Sequence, residues 1–197
     1  MASGPSSRRD SIMRAALEIF GAKGYEGATV EEIRRRAGAS TGSMYHHFAG
    51  KEDLARALRR EAVERYQAIV TTALRSADGP EAGVRAVVRA ELEWAERDAE
   101  RARFLVAALP SAVRHAVASE LEPANRRYFD DLASWYATHA DRGELIALDR
   151  ETALAVWIGP SQSFLRDWLT DPHGAGPRPS DVADRLADAA WRSLRAC

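Results

Sequence analysis

Thr41, Gly42, Ser43, Tyr45, His46 and His47 fall within seven consecutive residues. Their types suit close hydrogen bonding to phosphates and base edges. At about 100° per residue, a helix over Thr41 to Phe48 turns Met44 and Phe48 inward. Gly42, Ser43 and His46 then face out, with Tyr45 and His47 at the flanks. A surface helix normally carries Glu, Lys or Arg there. This one offers small hydroxyls, a phenol, two imidazoles and a glycine that helix propensity disfavours. A missing side chain at Gly42 would let a duplex approach the backbone. Lys51 opens the following helix, where the dipole favours acids, and a DNA phosphate would be a fitting partner for it.

Other chemistry finds little support. Adjacent imidazoles on a helix diverge by about 100°, so His46 and His47 cannot easily share one metal. His115, His139 and His173 are scattered. There is no H-E-x-x-H, no glycine-rich phosphate loop and no nucleophile elbow. The single cysteine, Cys197, excludes a disulfide framework and a cysteine-based metal site. No catalytic residue, metal ligand or cofactor is therefore expected, and an all-α enzyme is a remote alternative.

The elements that must hold these residues are legible nearby. Thr29 and Glu32 form a T-x-x-E capping box, so a helix begins at Val30. Val30, Ile33 and Ala37 give it a buried face. Gly38 is a C-terminal stop, and Ser40 caps the next helix. Two short helices about a glycine turn are the layout of a helix-turn-helix, which sets one helix in the major groove. A first helix, about Ser7 to Lys23, braces it through Ile12, Ala16, Ile19 and Phe20. Arg8 and Arg9 lie at its start, within reach of a neighbouring groove or phosphate.

This segment closely resembles the DNA-binding domain of the TetR (tetracycline-repressor) family. The family pattern runs T-x-x-x-I-x-x-x-A-G-V-S-x-G-x-x-Y-x-H-F-x-x-K after a helix ending in phenylalanine and a glycine turn. Phe20, Gly24, Thr29, Ile33, Ala37, Gly38, Ser40, Gly42, Tyr45, His47, Phe48 and Lys51 match in register, with Ala39 in place of the usual valine. The resemblance covers roughly the first 60 residues. It implies that Thr29, Tyr45, His47 and Lys51 bind phosphates, that Thr41, Gly42, Ser43 and His46 face the bases, and that Glu31 lies near the groove.

Charge agrees. Residues 1–60 hold 11 Lys+Arg against 7 Asp+Glu, a net +4, and the remainder holds 17 against 22, a net −5. A basic module on an acidic body concentrates the attractive field at one end. No apolar run is long enough to span a membrane and no signal-peptide core is seen, so a cytoplasmic protein without membrane association is expected. The polar first residues read as a flexible arm.

The expected fold is all-α: a three-helix DNA-binding domain over 1–50, joined to a helical bundle over 51–197 for ligand binding and dimerisation. A fourth helix spans about Lys51 to Ser76, ended by Asp78-Gly79-Pro80. Others are expected from Pro80 to Asp98, over Ala102 to Leu109, briefly over Ser111 to Ser119, and from Pro123 to Asp141. A further helix starts after Asp149 with a kink at Gly159-Pro160. A loop covers 171–177, and Ser180 caps the last helix. Relatives of the resembled family usually enclose a small molecule among the middle helices. Glu91 and Trp94, then Tyr128, Asp131 and Trp135, then Trp157, Ser161 and Phe164, mark three helix faces that could converge, with Phe104 nearby in sequence. Either they line a pocket or they fill the core.

In that family the last two helices form a four-helix dimer interface. Ile158, Leu165, Leu169, Leu186, Ala190 and Leu194 are the candidates here, unless they complete the monomer core. A homodimer is expected, because one short recognition helix reads few bases. The implied function is regulation of transcription, most plainly repression at a palindromic double-stranded operator relieved by a small-molecule effector. Control by a protein partner without a small ligand is the alternative.

Overall fold

A computed structural model describes residues 7–171 and 176–196. The N-terminal arm, Cys197 and most of the loop expected over 171–177, His173 included, lie outside the described residues. Among the described residues the chain is all-α: α1 Arg8–Gly27, α2 Val30–Arg36, α3 Thr41–His47, α4 Lys51–Arg75, α5 Gly79–Arg97, α6 Ala99–Val106, α7 Ser111–Asp141, α8 Arg150–Thr170 and α9 Pro179–Leu194. The one β-type pairing there is an isolated bridge between Leu145 and Arg195.

These helices form two compact units. One takes the chain up to Val63 together with Glu100–Leu121, and the other takes Glu64–Ala99 and the chain from Glu122 onward. In the first unit Ile12, Ala16 and Phe20 of α1 meet Ile33, Met44, Phe48, Leu54 and Leu58, with Phe104, Val113 and Val117 completing the core. Burying each larger side chain contributes about 1.5–3 kcal/mol, which is how three helices of which two have seven residues hold a fixed geometry. In the second unit α5 packs on α8 and α9. Trp157, Leu92, Leu132 and Leu194 are fully buried there.

Helix ends depart from expectation where proline or tertiary packing decides. α7 runs unbroken from Ser111 to Asp141 with Pro123 inside it, rather than as a short turn followed by a new helix. Proline removes one backbone donor, and here both Pro123 and Ser119, the residue whose carbonyl it leaves unmatched, are exposed to water. α8, by contrast, runs through Pro160 as expected, from Arg150 to Thr170. α6 begins at Ala99, three residues before the expected start. α1 extends to Gly27, but Gly24 has φ 69°, so the helix breaks there and resumes. α9 starts at Pro179, one residue before Ser180. Proline suits that first turn because its missing donor has no intrahelical use.

Candidate functional site

Local hydrogen bonds set α2 and α3. Thr29 Oγ1 accepts from Glu32 N at 3.2 Å, and the Glu32 carboxylate accepts from Thr29 N at 3.1 Å. The Glu32 carboxylate also receives Lys23, and the two partnerships hold it well below the usual carboxylate range, at about 2. At the other end of α2, Gly38 takes φ 60° and Ala39 N bonds to Arg34 O at 3.0 Å. Positive φ is why glycine belongs there. Arg34 donates to Ala39 O at 2.8 Å, and Arg8 donates to Gly38 O at 3.2 Å, so two guanidiniums clasp the turn. Ser40 Oγ then accepts from Ser43 N at 3.1 Å and starts α3.

On α3 Gly42 and His46 face out as the spacing predicts, but Ser43 is half-buried and Tyr45, expected at a flank, is exposed. Met44 is fully buried and Phe48 nearly so. Thr41, Gly42, Tyr45 and His46 are exposed, while Ser43 and His47 are half-buried. Tyr45 is 58% exposed, one of two large hydrophobic side chains so placed among the described residues. A Cβ built on Gly42 would meet nothing within 4 Å. The protein's own packing therefore does not require glycine at that position.

The cations around the motif have structural partners. Lys51 Nζ donates to Tyr25 O at 3.0 Å and Ala28 O at 3.2 Å, and lies 4.5 Å from the Tyr25 ring centre. Its ammonium thus ties the start of α4 to the last turn of α1. Arg9 lies over the Phe48 ring at 5.4 Å. Thr29 is exposed at the N-terminus of α2. Arg34 reaches Glu31 through two bonds, at 2.7 and 2.6 Å, which places Glu31 in a local ion pair.

In the second unit, four of the expected effector residues come together. Glu91 of α5 is fully buried, and Ser161 and Tyr128 are nearly so. Ser161 Oγ lies 3.0 Å from Glu91 Oε2, and the Tyr66 hydroxyl donates toward Glu91 Oε1 at 3.4 Å. Tyr128 donates to Tyr66 at 3.4 Å, and the Trp94 ring sits 5.4 Å from that of Tyr66. Burial pushes the Glu91 carboxyl up to about 8, and burial also raises Tyr66 and Tyr128. A pocket of about 520 Å³ opens on the outer side of Trp94, lined also by Arg65, Ala68, Ile69, Arg97 and Asp98.

The remaining candidates lie apart from this cluster or do other work. Trp135 and Trp157 pair with each other at 5.2 Å, and Trp157 Nε1 donates to Val84 O at 3.0 Å. Asp131 is exposed and pairs with Arg75 at 3.1 Å. Phe164 is half-buried. Phe104 belongs to the first unit, where it stacks on Phe20 at 5.7 Å. Of the dimer candidates, Ile158, Leu165, Ala190 and Leu194 are buried within the single chain, whereas Leu169 and Leu186 are half-exposed.

Tyr66 is the residue the sequence reading missed. Its signal was present: it follows Ala62 and precedes Val70 at helical spacing, and both of these are buried. A tyrosine on such a stripe needs a partner for its hydroxyl. Arg59 was missed as well. Its Nη1 is buried without a hydrogen-bond partner, and burial, aided by Arg114, lowers its pKa.

Residues 12–58 match the family described as bacterial regulatory proteins, tetR family. The chain is 38% identical over 93 residues to the HTH-type transcriptional repressor AcnR of Corynebacterium glutamicum, across 47% of this chain and 45% of that protein. It thus spans less than half the length of that relative and of comparable ones. The match to the transcriptional regulator AcuR of Cereibacter sphaeroides is broader, 34% over 175 residues, covering 82% of this chain and 76% of that one. Among solved structures, AibR in complex with isovaleryl coenzyme A and operator DNA superposes with a TM-score of 0.70 at 18% identity, across 92% of this chain and 96% of that one.

Proposed function

The chain belongs to the tetR family of bacterial regulatory proteins, and from that premise we propose that it is a transcriptional regulator. It binds a palindromic operator as a dimer and is released by a small-molecule effector. The observation that carries this is the outward face of α3, with Tyr45 58% exposed beside Thr41, Gly42 and His46. Short hydrogen-bonding groups and an open glycine are suited to a groove and have no use in the chain's own core. Residues 1–50 form the reading head in this proposal, and 51–197 the regulatory body. Thr29, Tyr45, His47 and Lys51 serve phosphates, Lys51 through whatever donor its carbonyl contacts leave. Thr41, Gly42, Ser43 and His46 serve bases.

The effector site proposed is the cluster around Glu91, Trp94, Tyr128 and Ser161. AibR, a protein of the same fold, is solved in complex with isovaleryl coenzyme A, which supports an effector for this chain without naming it. Dimerisation falls to the outer faces of α8 and α9, with Leu169 and Leu186 as contributors. Such a regulator is not an enzyme and works in the cytoplasm. α4 is the natural carrier of coupling, since Lys51 opens it and Tyr66 lies within it. A typical coupling energy of about 1–3 kcal/mol gives about 5–150-fold change in DNA affinity.

The test is selection of genomic DNA fragments by the purified protein, followed by fluorescence anisotropy on the enriched site through a salt series. A palindromic site is expected, with affinity falling steeply as salt rises. Tyr45→Ala should weaken binding tenfold to hundredfold, about 1–3 kcal/mol, at unchanged melting temperature. Enrichment of no common sequence, or binding insensitive to salt, would overturn the reading.

A further inference from the structure

We propose that Tyr66, Glu91, Trp94 and Tyr128 form the recognition end of the effector site and that the effector class they select is an organic cation, a quaternary or protonated amine. This rests on the regulator reading and gives its effector a chemistry. Glu91 is fully buried, and its partners among the described residues are hydroxyls alone, those of Ser161 and Tyr66. A buried carboxylate without a cation is unstable, so the group must be neutral or must be given a counter-charge.

A count of hydrogens identifies which applies in the empty site. Ser161 has one hydroxyl hydrogen, yet its Oγ lies 2.9 Å from Ile158 O and 3.0 Å from Glu91 Oε2. One hydrogen cannot satisfy both acceptors fully. A proton on Glu91 resolves this. The acid donates to Ser161, and Ser161 donates to the Ile158 carbonyl. On the other side Tyr128 donates to Tyr66, and Tyr66 donates to Glu91 Oε1. Both of these bonds are 3.4 Å, long for O–H···O pairs. The Tyr66 hydroxyl also meets the Gln162 side chain, and the Tyr66 residue as a whole is half-buried.

The Tyr66 ring packs against two others. Trp94 and Tyr128 stand 5.4 and 6.0 Å from Tyr66, centre to centre. An ammonium entering from the pocket beside Trp94 would meet ring faces and then the Glu91 carboxyl, in a medium where both attract strongly. Entry of the cation expels the Glu91 proton to solvent. The acid becomes a carboxylate, the cation is its partner, and total charge is conserved. An anion would find no cation beside Glu91, and a neutral molecule would gain nothing from the acid's ionisation. Arg65 and Arg97 line the outer pocket near Trp94, but Asp98 lies with them and the Arg97 side chain is 68% exposed beside Glu93. Water screens those charges, whereas Glu91 is screened by nothing.

The experiment uses choline and its uncharged carbon isostere, 3,3-dimethylbutan-1-ol, with the purified full chain. Tryptophan fluorescence and calorimetry are read at matched ionic strength, with calorimetry repeated in two buffers of different ionisation enthalpy. Choline should bind saturably, release about one proton at pH 7 and exceed its isostere at least tenfold. Glu91→Gln should lower choline affinity at least tenfold and remove the proton release. Trp94→Leu should weaken choline binding with the proton release kept. Equal binding of the two probes, choline binding without proton release, or no choline binding at 50 mM would each overturn the proposal. The regulator reading is judged separately, by whether the wild-type protein selects a DNA site.

Discussion

Two glutamates, one in each unit, are perturbed in opposite directions. Glu32 lies at the surface of the first unit, bonded by Lys23 and Thr29, and is held ionised down to about 2. Glu91 lies in the body with no cation beside it, and burial raises it to about 8. The first uses its charge to start a helix. The second keeps a proton because the fold offers no counter-charge. The head spends its polar groups on its own geometry and presents a preset surface. The second unit holds a buried carboxyl whose partners are hydroxyls and not a cation.

The largest expected effect breaks this comparison directly. Between the ordinary value of 4.5 and about 8, folded Glu91 holds a proton that the unfolded chain has lost. Stability therefore falls as pH rises across that window, and the contribution is gone above about 8. The full span is roughly 3–5 kcal/mol. Glu32 works the other way, losing its contribution only as pH falls from 4.5 toward 2. Denaturant unfolding at pH 5, 7 and 9 should show the decline in wild type. Glu91→Gln should flatten it, since an amide can donate to Ser161 and accept from Tyr66 without a proton to lose. A parallel decline in the variant would mean that other groups carry it.

A second substitution asks whether the body tolerates change as the head does. A Cβ on Gly83 would lie 2.2 Å from Cζ2 of Trp135. That ring is packed against Trp157 at 5.2 Å and His139 at 4.4 Å, so it has little room to yield. Gly83→Ala should cost about 1–3 kcal/mol by overpacking, read as a lower denaturation midpoint. Unchanged stability would show that Trp135 moves freely and that the aromatic cluster is looser than its distances suggest.

The same contrast explains what was legible in the sequence. Thr29 with Glu32, Ser40 with Ser43, and Gly38 after α2 act over three or four residues, so their spacing announces them. The groups around Glu91 are separated by 25 residues in one bond and 70 in another. No local pattern can show that Tyr66 meets Glu91, or that Asp131 turns away to Arg75. Pro123 misled for a related reason. By local rule it opens a new helix, but α7 gains more from continuing across its packed face than it loses in one hydrogen bond. Phe104, far in sequence from α1, joins the first unit's core by stacking on Phe20 at 5.7 Å, a pairing no local pattern announces.

In the head, Thr29→Ala removes the hydroxyl that caps α2. The cost should be about 1 kcal/mol, and it should fall on unfolding of the head alone. Hydrogen exchange is the suitable reading, with faster exchange at Val30 to Ile33 and none of the change in α5 or α8. A uniform loss of protection would show that the two units open together.

Gly42→Ala gives the smallest effect and separates folding from reading most sharply. Alanine should favour α3 by about 0.5–1 kcal/mol, because glycine has more freedom to lose in a helix. Nothing within 4 Å opposes the added methyl, so the melting temperature should rise slightly. DNA affinity should nevertheless fall, because the methyl would stand between the helix backbone and the groove. A variant both more stable and weaker in binding would mean that glycine is kept at this position for the duplex. A variant more stable and equal in binding would move the point of close approach away from Gly42, leaving Tyr45 and Thr41 to define the contact face.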